Sequence, residues 1–233
     1  MIVSGRNNVK ELLNNYNDSY KVKKAYLQNG FNEKDILSLL KKFHINYEFK
    51  EKYELDLLAK NNHQGVLLDI GDFNYCTLDS IIENKDKCTI VILDHLEDPH
   101  NLGAIVRTCE AAKVDGIILP KNRSVSVNET VLKTSVGAIF NTKICQVTNL
   151  ASTIKYLKKK GFWLYGADME GVNYKEITYS DKCCLVIGNE GNGLARIVSN
   201  ECDYIVSIPM YGKVNSLNAS VAAGILVYEV INR

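Results

Sequence analysis

The stretch that decides the fold is the last one, Ser207-Ile-Pro-Met-Tyr-Gly-Lys-Val-Asn-Ser-Leu-Asn-Ala-Ser-Val-Ala-Ala-Gly-Ile-Leu-Val-Tyr-Glu229. It predicts a short apolar strand that ends at Pro209, a polar turn around Gly212 and a helix from about Ser216. The apolar residues of this helix fall on two opposite sides, with Leu217, Val221, Ile225 and Tyr228 on one and Leu226, Val227 and Val230 on the other. A helix that is apolar on two sides is either wholly buried or shared with a partner. The small polar residues at its start indicate a ligand site.

Upstream of this stretch, predicted strands alternate with predicted helices along the whole chain. Thr89–Leu93 is a continuous apolar run, which is typical of a buried strand in a parallel sheet. The alternation favours an α/β fold with a parallel, doubly wound sheet. Residues 1–70 alternate in the same way and predict a small α/β domain of their own. We therefore expect an N-terminal domain at 1–70, a linker at 71–86 and a second domain at 87–233.

Composition excludes several classes of protein. The 233 residues carry a net charge of +1, and no apolar run approaches the roughly 20 residues that a membrane span needs. No signal or transit segment is recognisable, which predicts a cytoplasmic protein. The seven cysteines form no CxxC pair and no Cys/His cluster, so we expect buried free thiols and no metal. Because the chain is almost neutral, a nucleic-acid partner would have to contact local basic patches such as Lys21–Lys24.

Three polar loops follow predicted strands, at the edge where open α/β sheets bind ligands. They are Asp94–Gly103, Gly188–Leu194 and the closing segment itself. Each has a plain structural interpretation when it is taken alone, because Asn101 could cap a helix and Arg107 could pair with Glu110 one turn later. The glycines of the second loop do not form GxGxxG and follow a late strand, which disfavours a Rossmann dinucleotide site.

Taken together, the three loops resemble the motifs of a known enzyme class. Asn101-x5-Arg107, Gly188-Asn-Glu-Gly-x-Gly-Leu194 and Ile208-Pro-Met-x-Gly-x3-Ser-Leu-Asn-x-Ser220 are similar, in that order, to the three motifs of the SpoU/TrmH class of the SPOUT superfamily. The members of this class are S-adenosylmethionine-dependent RNA ribose 2′-O-methyltransferases. The resemblance covers essentially the whole chain. Further segments are similar to the bacterial branch that methylates a guanosine of 23S ribosomal RNA, namely Ser4–Glu11, His63–Gly65, Asp98–Gly103 and Lys121–Ser124.

The resemblance implies a fold, a cofactor and an assembly. In this class the last segment is threaded through a loop to form a deep trefoil knot, which is an exception to the rule that chains do not thread loops. The knot forms the pocket for S-adenosylmethionine, and the matching contacts here are Gly188, Ile208 and Leu217. The class forms homodimers through the last helix, which would use the second apolar face. The N-terminal domain resembles small ribosomal-protein-like RNA-binding domains. The expected RNA contacts are Arg6, Lys121 and Arg123.

By motif match, the resemblance also implies a catalytic site that consists of Asn101, Arg107, Glu190, Ser216 and Asn218. The class assigns the role of base to Arg107, but a guanidinium with a pKa above about 12 rarely gives up its proton. We expect Arg107 instead to hold the adjacent phosphate or to lower the pKa of the ribose 2′-hydroxyl. Glu190 would orient the arginine or asparagine side chains. Asn101, Ser216 and Asn218 would hold the ribose.

The expected reaction is methyl transfer from S-adenosylmethionine to the ribose 2′-hydroxyl of a guanosine in 23S ribosomal RNA. Two alternatives remain, which are the same reaction on transfer RNA or another ribosomal site, and a non-catalytic RNA-binding factor of ribosome assembly. The N-terminal module argues against the transfer-RNA enzyme, and the intact motif residues argue against loss of catalysis. His95, Glu97 and His100 do not have the spacing of a common metal site. Trp163 and Tyr165 lie in a predicted strand and are expected in the core.

Overall fold

The computed structural model describes residues 1–16, 20–59 and 62–232. The strands, in chain order, are β1 (Ile2–Ser4), β2 (Val22–Gln28), β3 (Tyr47–Lys50), β4 (Val66–Ile70), β5 (Cys88–Leu93), β6 (Gly116–Pro120), β7 (Ile144–Val147), β8 (Trp163–Asn173), β9 (Lys182–Ile187) and β10 (Tyr204–Ser207). The helices are α1 (Arg6–Asn14), α2 (Lys34–Lys42), α3 (Lys52–Leu58), α4 (Leu78–Ile82), α5 (Pro99–Ala111), α6 (Glu129–Thr134), α7 (Leu150–Lys159), α8 (Arg196–Ser199) and α9 (Ala219–Ile231). Single short helical turns lie at Ala138–Phe140 and Tyr174–Glu176. The predicted α/β class is confirmed.

The first compact unit consists of Met1–Asn74 and Val127–Asn141. Its sheet has the strand order β1-β4-β2-β3, in which β4 is antiparallel to both of its neighbours and β2 is parallel to β3. Helix α1 buries Val9, Leu12 and Leu13, a spacing that forms a single apolar face. The unit therefore has a hydrophobic core of its own.

The second compact unit consists of Tyr75–Ser126 and Thr142–Arg233. Within the described residues its parallel sheet has the order β10-β8-β9-β5-β6-β7. Every residue of the central strand β5 is buried, as its continuous apolar sequence predicted. All carboxyl ends of a parallel sheet lie at one edge, so the loops that follow β5, β9 and β10 start from the same edge. The threading of the last segment through a loop stays a prediction.

The predicted domain bounds do not coincide with these compact units. The segment 71–86, which we expected to be a linker, contains α4, and Ile81 and Ile82 of this helix belong to the core of the second unit. Val127–Asn141 groups with the first unit, where Ile2 N donates to Glu129 Oε1 at 2.8 Å. The proposed bounds 1–70, 71–86 and 87–233 therefore remain a prediction about domains.

Residues 131–140 do not form one continuous helix. Helix α6 ends at Thr134, and the next turn begins only at Ala138. Between them Val136 and Gly137 have φ values of 50° and 85°, which a continuing helix does not allow. A Cβ on Gly137 would overlap with the side chain of Glu11, so this position requires glycine both for its φ and for space.

Two predictions about the last helix are wrong. Helix α9 begins at Ala219, later than the predicted Ser216, because Asn218 is the N-cap and its Oδ1 accepts a hydrogen bond from Ser220 N at 2.9 Å. The side that we assigned to a partner is the buried one, since Leu226, Val227 and Val230 are at most 1% exposed. The exposed apolar residues are instead Val221 and Tyr228, at 50% and 48%.

The prediction for Trp163 is also wrong, whereas Tyr165 is buried as expected. Trp163 is 47% exposed and stacks on Tyr204, with ring centres 6.0 Å apart. Tyr204 begins β10, which is an edge strand of the sheet and leaves both rings open to solvent on one side.

None of the described helices is long and apolar enough to cross a membrane.

Candidate active site

Side chains from all three motif loops form one chain of hydrogen bonds. Asn101 Nδ2 donates to Glu190 Oε1 at 2.8 Å, and Asn218 Nδ2 donates to Asn101 Oδ1 at 3.0 Å. Asn101 is only 6% exposed, so both ends of its amide are satisfied inside the protein. The three predicted residues Asn101, Glu190 and Asn218 are therefore brought together, although they are far apart in the sequence.

Helix α5 positions Asn101 through its own cap. Asp98 is the N-cap residue, and its Oδ1 accepts a hydrogen bond from His100 N at 2.8 Å. Pro99 occupies the first turn, where its missing N–H costs nothing. The alternative that Asn101 is merely the cap is thus wrong. Asn101 lies inside the first turn, and its side chain is free to link the other two loops.

The second motif loop folds back on itself at Asn189. Asn189 N donates to Gly193 O at 2.9 Å, and Gly193 N donates to Asn189 O at 3.0 Å. The Asn189 side chain accepts from Gly191 N at 2.9 Å and donates to His95 O at 2.9 Å. A Cβ on Gly188 would overlap with the main chain of Gly193. Glycine at 188 therefore allows the loop to close, and the fixed loop presents Glu190 to Asn101.

A buried carboxylate, Asp94, which was not predicted from the sequence, connects the first and second motif loops. Asp94 is 1% exposed, and its Oδ2 accepts a hydrogen bond from Ala195 N at 2.6 Å. Its Oδ1 lies 2.6 Å from His95 Nδ1. The sequence does contain a signal for this residue, since Asp94 directly follows the buried strand β5. A carboxylate that is buried at the end of a strand needs specific partners.

A cavity of about 310 Å³ lies beside this hydrogen-bond chain, entirely within the second unit. The predicted cofactor contacts Gly188, Ile208 and Leu217 all line it, and so does Ser216. Ile187, Val206 and Leu226 add apolar walls. Asp168 and Asn215 add polar groups that the sequence analysis did not single out. Asp168 closely follows the apolar run at 162–165, which indicates a strand and was the signal for it. The cavity suits a ligand that has both apolar and polar parts.

Arg107 is exposed and makes no ion pair within the part of the chain that the structure describes. The alternative of an ion pair with Glu110 is therefore wrong. Arg107 lies on α5, six residues after Asn101, which is about 1.7 turns of the same helix. Its guanidinium remains available for a ligand.

The predicted RNA contacts lie in both units. Lys121 and Arg123 are exposed in the loop after β6, and this loop is fixed to the first motif loop because Leu96 O accepts from Val125 N at 2.7 Å. Arg6 lies at the start of α1 in the first unit, where its Nη1 donates to Glu33 Oε1 at 2.6 Å.

The cysteines are free thiols, and Cys76 and Cys202 are half-buried while the others are buried. Burial raises the pKa of the Cys109 thiol to about 12 and that of Cys145 to about 11. Such thiols are poor nucleophiles and poor metal ligands at neutral pH. No group of three or more His, Cys, Asp or Glu side chains suited to a metal ion is found among the described residues.

This site defines a class of protein. A parallel α/β sheet carries a cavity at its carboxyl edge, and three motif segments beside the cavity join amide and carboxylate groups that are suited to holding a polar substrate. The chain belongs to the SpoU rRNA methylase family, whose model matches residues 88–228. Residues 2–76 match the model described as RNA 2′-O ribose methyltransferase substrate binding.

Individual relatives agree with this family. The chain is 42% identical, over 100% of its length and 96% of the other, to a protein of Staphylococcus haemolyticus assigned by name to the TrmH family of tRNA/rRNA methyltransferases. The fold is similar to that of the SpoU methyltransferase AviRb from Streptomyces viridochromogenes in complex with AdoMet, with a TM-score of 0.87, 22% identity and coverage of 100% and 89%. An AdoMet-bound rRNA methyltransferase from Sinorhizobium meliloti gives a TM-score of 0.85, 25% identity and coverage of 99% and 86%.

Membership of this family confirms the predicted class of enzyme and the predicted fold. The chain is an S-adenosylmethionine-dependent RNA methyltransferase of the SpoU/TrmH class, as its three motifs predicted. The α/β fold with a parallel-sheet methylase domain and an N-terminal substrate-binding domain is confirmed.

Proposed function

We propose that the protein transfers a methyl group from S-adenosylmethionine to the ribose 2′-hydroxyl of a guanosine in 23S ribosomal RNA. The observation that carries this proposal is the hydrogen-bond chain from Glu190 through Asn101 to Asn218 at the border of the cavity. It joins the three motif segments of the family in one site. The N-terminal match to an RNA substrate-binding model supports RNA as the substrate.

The cavity fits the cofactor of the family. Its apolar walls, including Ile208 and Leu217, suit the adenine ring, whereas main-chain groups near Gly188 suit polar atoms of the nucleoside. Asp168 supplies a carboxylate that can accept hydrogen bonds from ribose hydroxyls. When bound, S-adenosylmethionine supplies a methyl group that is already activated as a sulfonium. The chain itself therefore has to align the acceptor hydroxyl and assist the loss of its proton.

We assign that work to the residues around Asn101. The chain of hydrogen bonds fixes the amides of Asn101 and Asn218, so that little reorganisation is needed when the ribose binds. Arg107 carries a permanent charge, which stabilises an adjacent phosphate and favours the ionised form of a nearby hydroxyl. Ser216 is exposed in the closing loop and lines the cavity, where its hydroxyl can hold the ribose. Glu190 orients Asn101 by accepting its amide hydrogen.

The choice of RNA is supported by the N-terminal domain and by exposed cations in both units. An enzyme that methylates structured ribosomal RNA needs contacts beyond the reacting nucleotide, and Arg6, Lys121 and Arg123 are exposed cations suited to phosphates. The alternative substrates are transfer RNA or another ribosomal site, which the relative from Staphylococcus haemolyticus also allows by its name. A non-catalytic role in ribosome assembly is disfavoured because the five motif residues predicted to be catalytic are all present.

We further propose a homodimer through α9, with Val221 and Tyr228 in the interface instead of Val227. Both side chains are exposed and apolar or aromatic, whereas the opposite side of α9 packs in its own unit. We keep the domain bounds 1–70 and 87–233, the knotted path of the last segment and a cytoplasmic location as parts of the same proposal.

The substrate is tested by mapping 2′-O-methyl groups in RNA from cells with and without the gene. We expect one guanosine of 23S ribosomal RNA to lose its methyl group in the deletion strain, and to regain it when the gene is returned. An unchanged ribosomal map together with a lost methyl group in transfer RNA would establish the alternative substrate.

A further inference from the structure

The first unit contains a second cavity, of about 930 Å³, which the methyl-transfer site does not explain. All of its lining residues belong to Met1–Asn74. The cavity is bounded by the start of α1, the turn after β2, helix α3 and the turn before β4. Its lining includes Arg6, Asn7, Gln28, Phe31, Lys52 and Asn62.

Phe31 gives this cavity an aromatic wall. A tight turn presents the ring, because Phe31 N donates to Gln28 O at 2.9 Å and Gly30 adopts a φ of 85°. Gly65 lets the ring approach the main chain, since a Cβ there would lie 3.3 Å from Phe31 Cδ2. The Arg6 guanidinium carbon lies 5.7 Å from the ring centre. Aromatic rings and guanidinium planes are the two protein groups on which unpaired nucleobases stack.

Carboxamide side chains dominate the rest of the lining, and they are Asn7, Gln28, Asn29, Asn62 and Gln64. Asn29 donates to Glu51 Oε1 at 2.6 Å, and Gln64 Oε1 accepts from Arg6 N at 2.9 Å. The side chains of the other three have no hydrogen-bond partner among the residues that the structure describes. A carboxamide carries donors and an acceptor side by side, which matches the edge of a nucleobase.

The charges around the cavity are largely paired, which distinguishes it from a phosphate site. Arg6 pairs with Glu33 at 2.6 Å, and Asp56 Oδ1 lies 3.0 Å from His63 Nε2. Lys52 has no ion-pair partner within the described part of the chain. A site for a phosphate alone would concentrate unpaired cations, whereas an aromatic wall with free amides favours a base.

We propose that this cavity binds one unpaired nucleobase of the RNA substrate, at a nucleotide other than the one that is methylated. Phe31 stacks on the base, while Asn7, Gln28 and Asn62 bind its edge. The inference rests on the proposed function, because the RNA substrate supplies the base. In this proposal, the N-terminal unit recognises a base of the RNA in addition to contacting its phosphates.

The substitution Phe31→Leu tests the proposal, because it keeps an apolar side chain and removes the planar ring. The probe is protein-free 23S ribosomal RNA from a strain that lacks the gene, and its affinity is measured by filter binding over a range of salt concentrations. We expect about tenfold weaker binding, the order of effect of losing one stacked base. The salt dependence should not change, because the phosphate contacts remain. Tyr53→Leu removes a ring of α3 that is 67% exposed and outside the cavity, and should bind like the unchanged protein.

Equal affinities of the Phe31→Leu, Tyr53→Leu and unchanged proteins would overturn the proposal. A weaker salt dependence in Phe31→Leu would overturn it too, because that result indicates a lost phosphate contact. Thermal unfolding and calorimetric binding of S-adenosylmethionine check that the variant is folded. If Phe31→Leu does not fold, Gln28→Ala serves instead, since it truncates a half-buried amide and leaves the ring in place.

Methyl transfer by the unchanged protein to the same RNA separates this proposal from the proposed function. If the unchanged protein transfers the methyl group and the Phe31→Leu protein binds RNA normally, only the proposed nucleobase site is wrong. If the Phe31→Leu protein binds RNA more weakly but the unchanged protein transfers no methyl group, the nucleobase site is supported and the methyl-transfer assignment is wrong.

Discussion

At the scale of single residues, Asn101 connects the site because its amide serves two loops at once. Its nitrogen donates to Glu190 and its oxygen accepts from Asn218, and the side chain is almost fully buried. Leaving a buried polar group without its partner typically costs about 1–3 kcal/mol. Both neighbours are therefore held in one geometry, which is the condition for aligning a hydroxyl group. Arg107, in contrast, is exposed and has no protein partner in the described chain, so its charge is free to act on the substrate.

Arg107→Lys tests this role of the guanidinium. We expect kcat/KM for methyl transfer to fall on the order of 100-fold, because a point charge cannot replace the planar fork on a phosphate or developing oxyanion. Calorimetric affinity for S-adenosylmethionine should not change, since Arg107 does not line the cavity. Arg196→Lys, at an exposed arginine of α8, is the matched control. Turnover of Arg107→Lys close to that of the control would refute the assigned role.

At the scale of elements, the loop between β9 and α8 depends on the absence of a side chain at Gly188. Paired main-chain hydrogen bonds between Asn189 and Gly193 close the loop over Gly188. Asp94 then fixes the end of the loop through Ala195 N. The same loop provides Glu190 to the hydrogen-bond chain and a wall to the cavity, so its closure fixes both parts of the proposed site.

Gly188→Ala is expected to weaken S-adenosylmethionine binding about tenfold or more in calorimetry. The added methyl group must displace the main chain of Gly193, and overpacking of this kind costs about 1–3 kcal/mol. Gly212→Ala is the control, because a Cβ at Gly212 would have nothing within 4 Å. If both variants bind S-adenosylmethionine equally well, the closed loop is not a wall of the cofactor site.

The elements also show what the sequence could predict. The burial of β5 and the order of the motifs could be predicted from the sequence, because apolar runs and residue spacing are local features. The buried side of α9 could not be predicted, because apolar residues lie on all sides of the helix and only its packing decides which side is buried. The break at Gly137 and the exposure of Trp163 likewise depend on neighbours such as Glu11 and Tyr204, which are distant in sequence. The position of Asp94 directly after β5 is a local signal, but its bond to Ala195 N depends on a residue that is distant in sequence.

At the scale of the whole molecule, the chain combines two compact units with different tasks. The second unit contains most of the match to the methylase model and the site that we propose for methyl transfer, and the first contains most of the match to the RNA substrate-binding model. Helix α9 leaves Val221 and Tyr228 exposed although the helix is apolar on both sides. Exposed apolar residues on an otherwise buried helix favour a partner, and the proposed homodimer supplies one.

Val221→Asp is expected to produce monomers in light scattering, because a carboxylate would be buried in the proposed interface. The monomer should remain folded by circular dichroism, since Val221 is half exposed within its own subunit. Ile197→Asp places the same charge at another exposed apolar residue, in α8, and should not change the molecular mass in solution. A Val221→Asp protein that stays dimeric would exclude this face of α9 from the interface.

The central claim is that the site around Asn101 methylates a ribose of large-subunit RNA. The most direct measurement is to incubate the purified protein with S-adenosylmethionine and 23S ribosomal RNA from a strain that lacks the gene, to digest the RNA to nucleosides, and to identify the methylated product by mass spectrometry. We predict newly formed 2′-O-methylguanosine. A methyl group on a base or on a different nucleoside, or no methylated nucleoside from a folded protein that binds the cofactor, would contradict the claim.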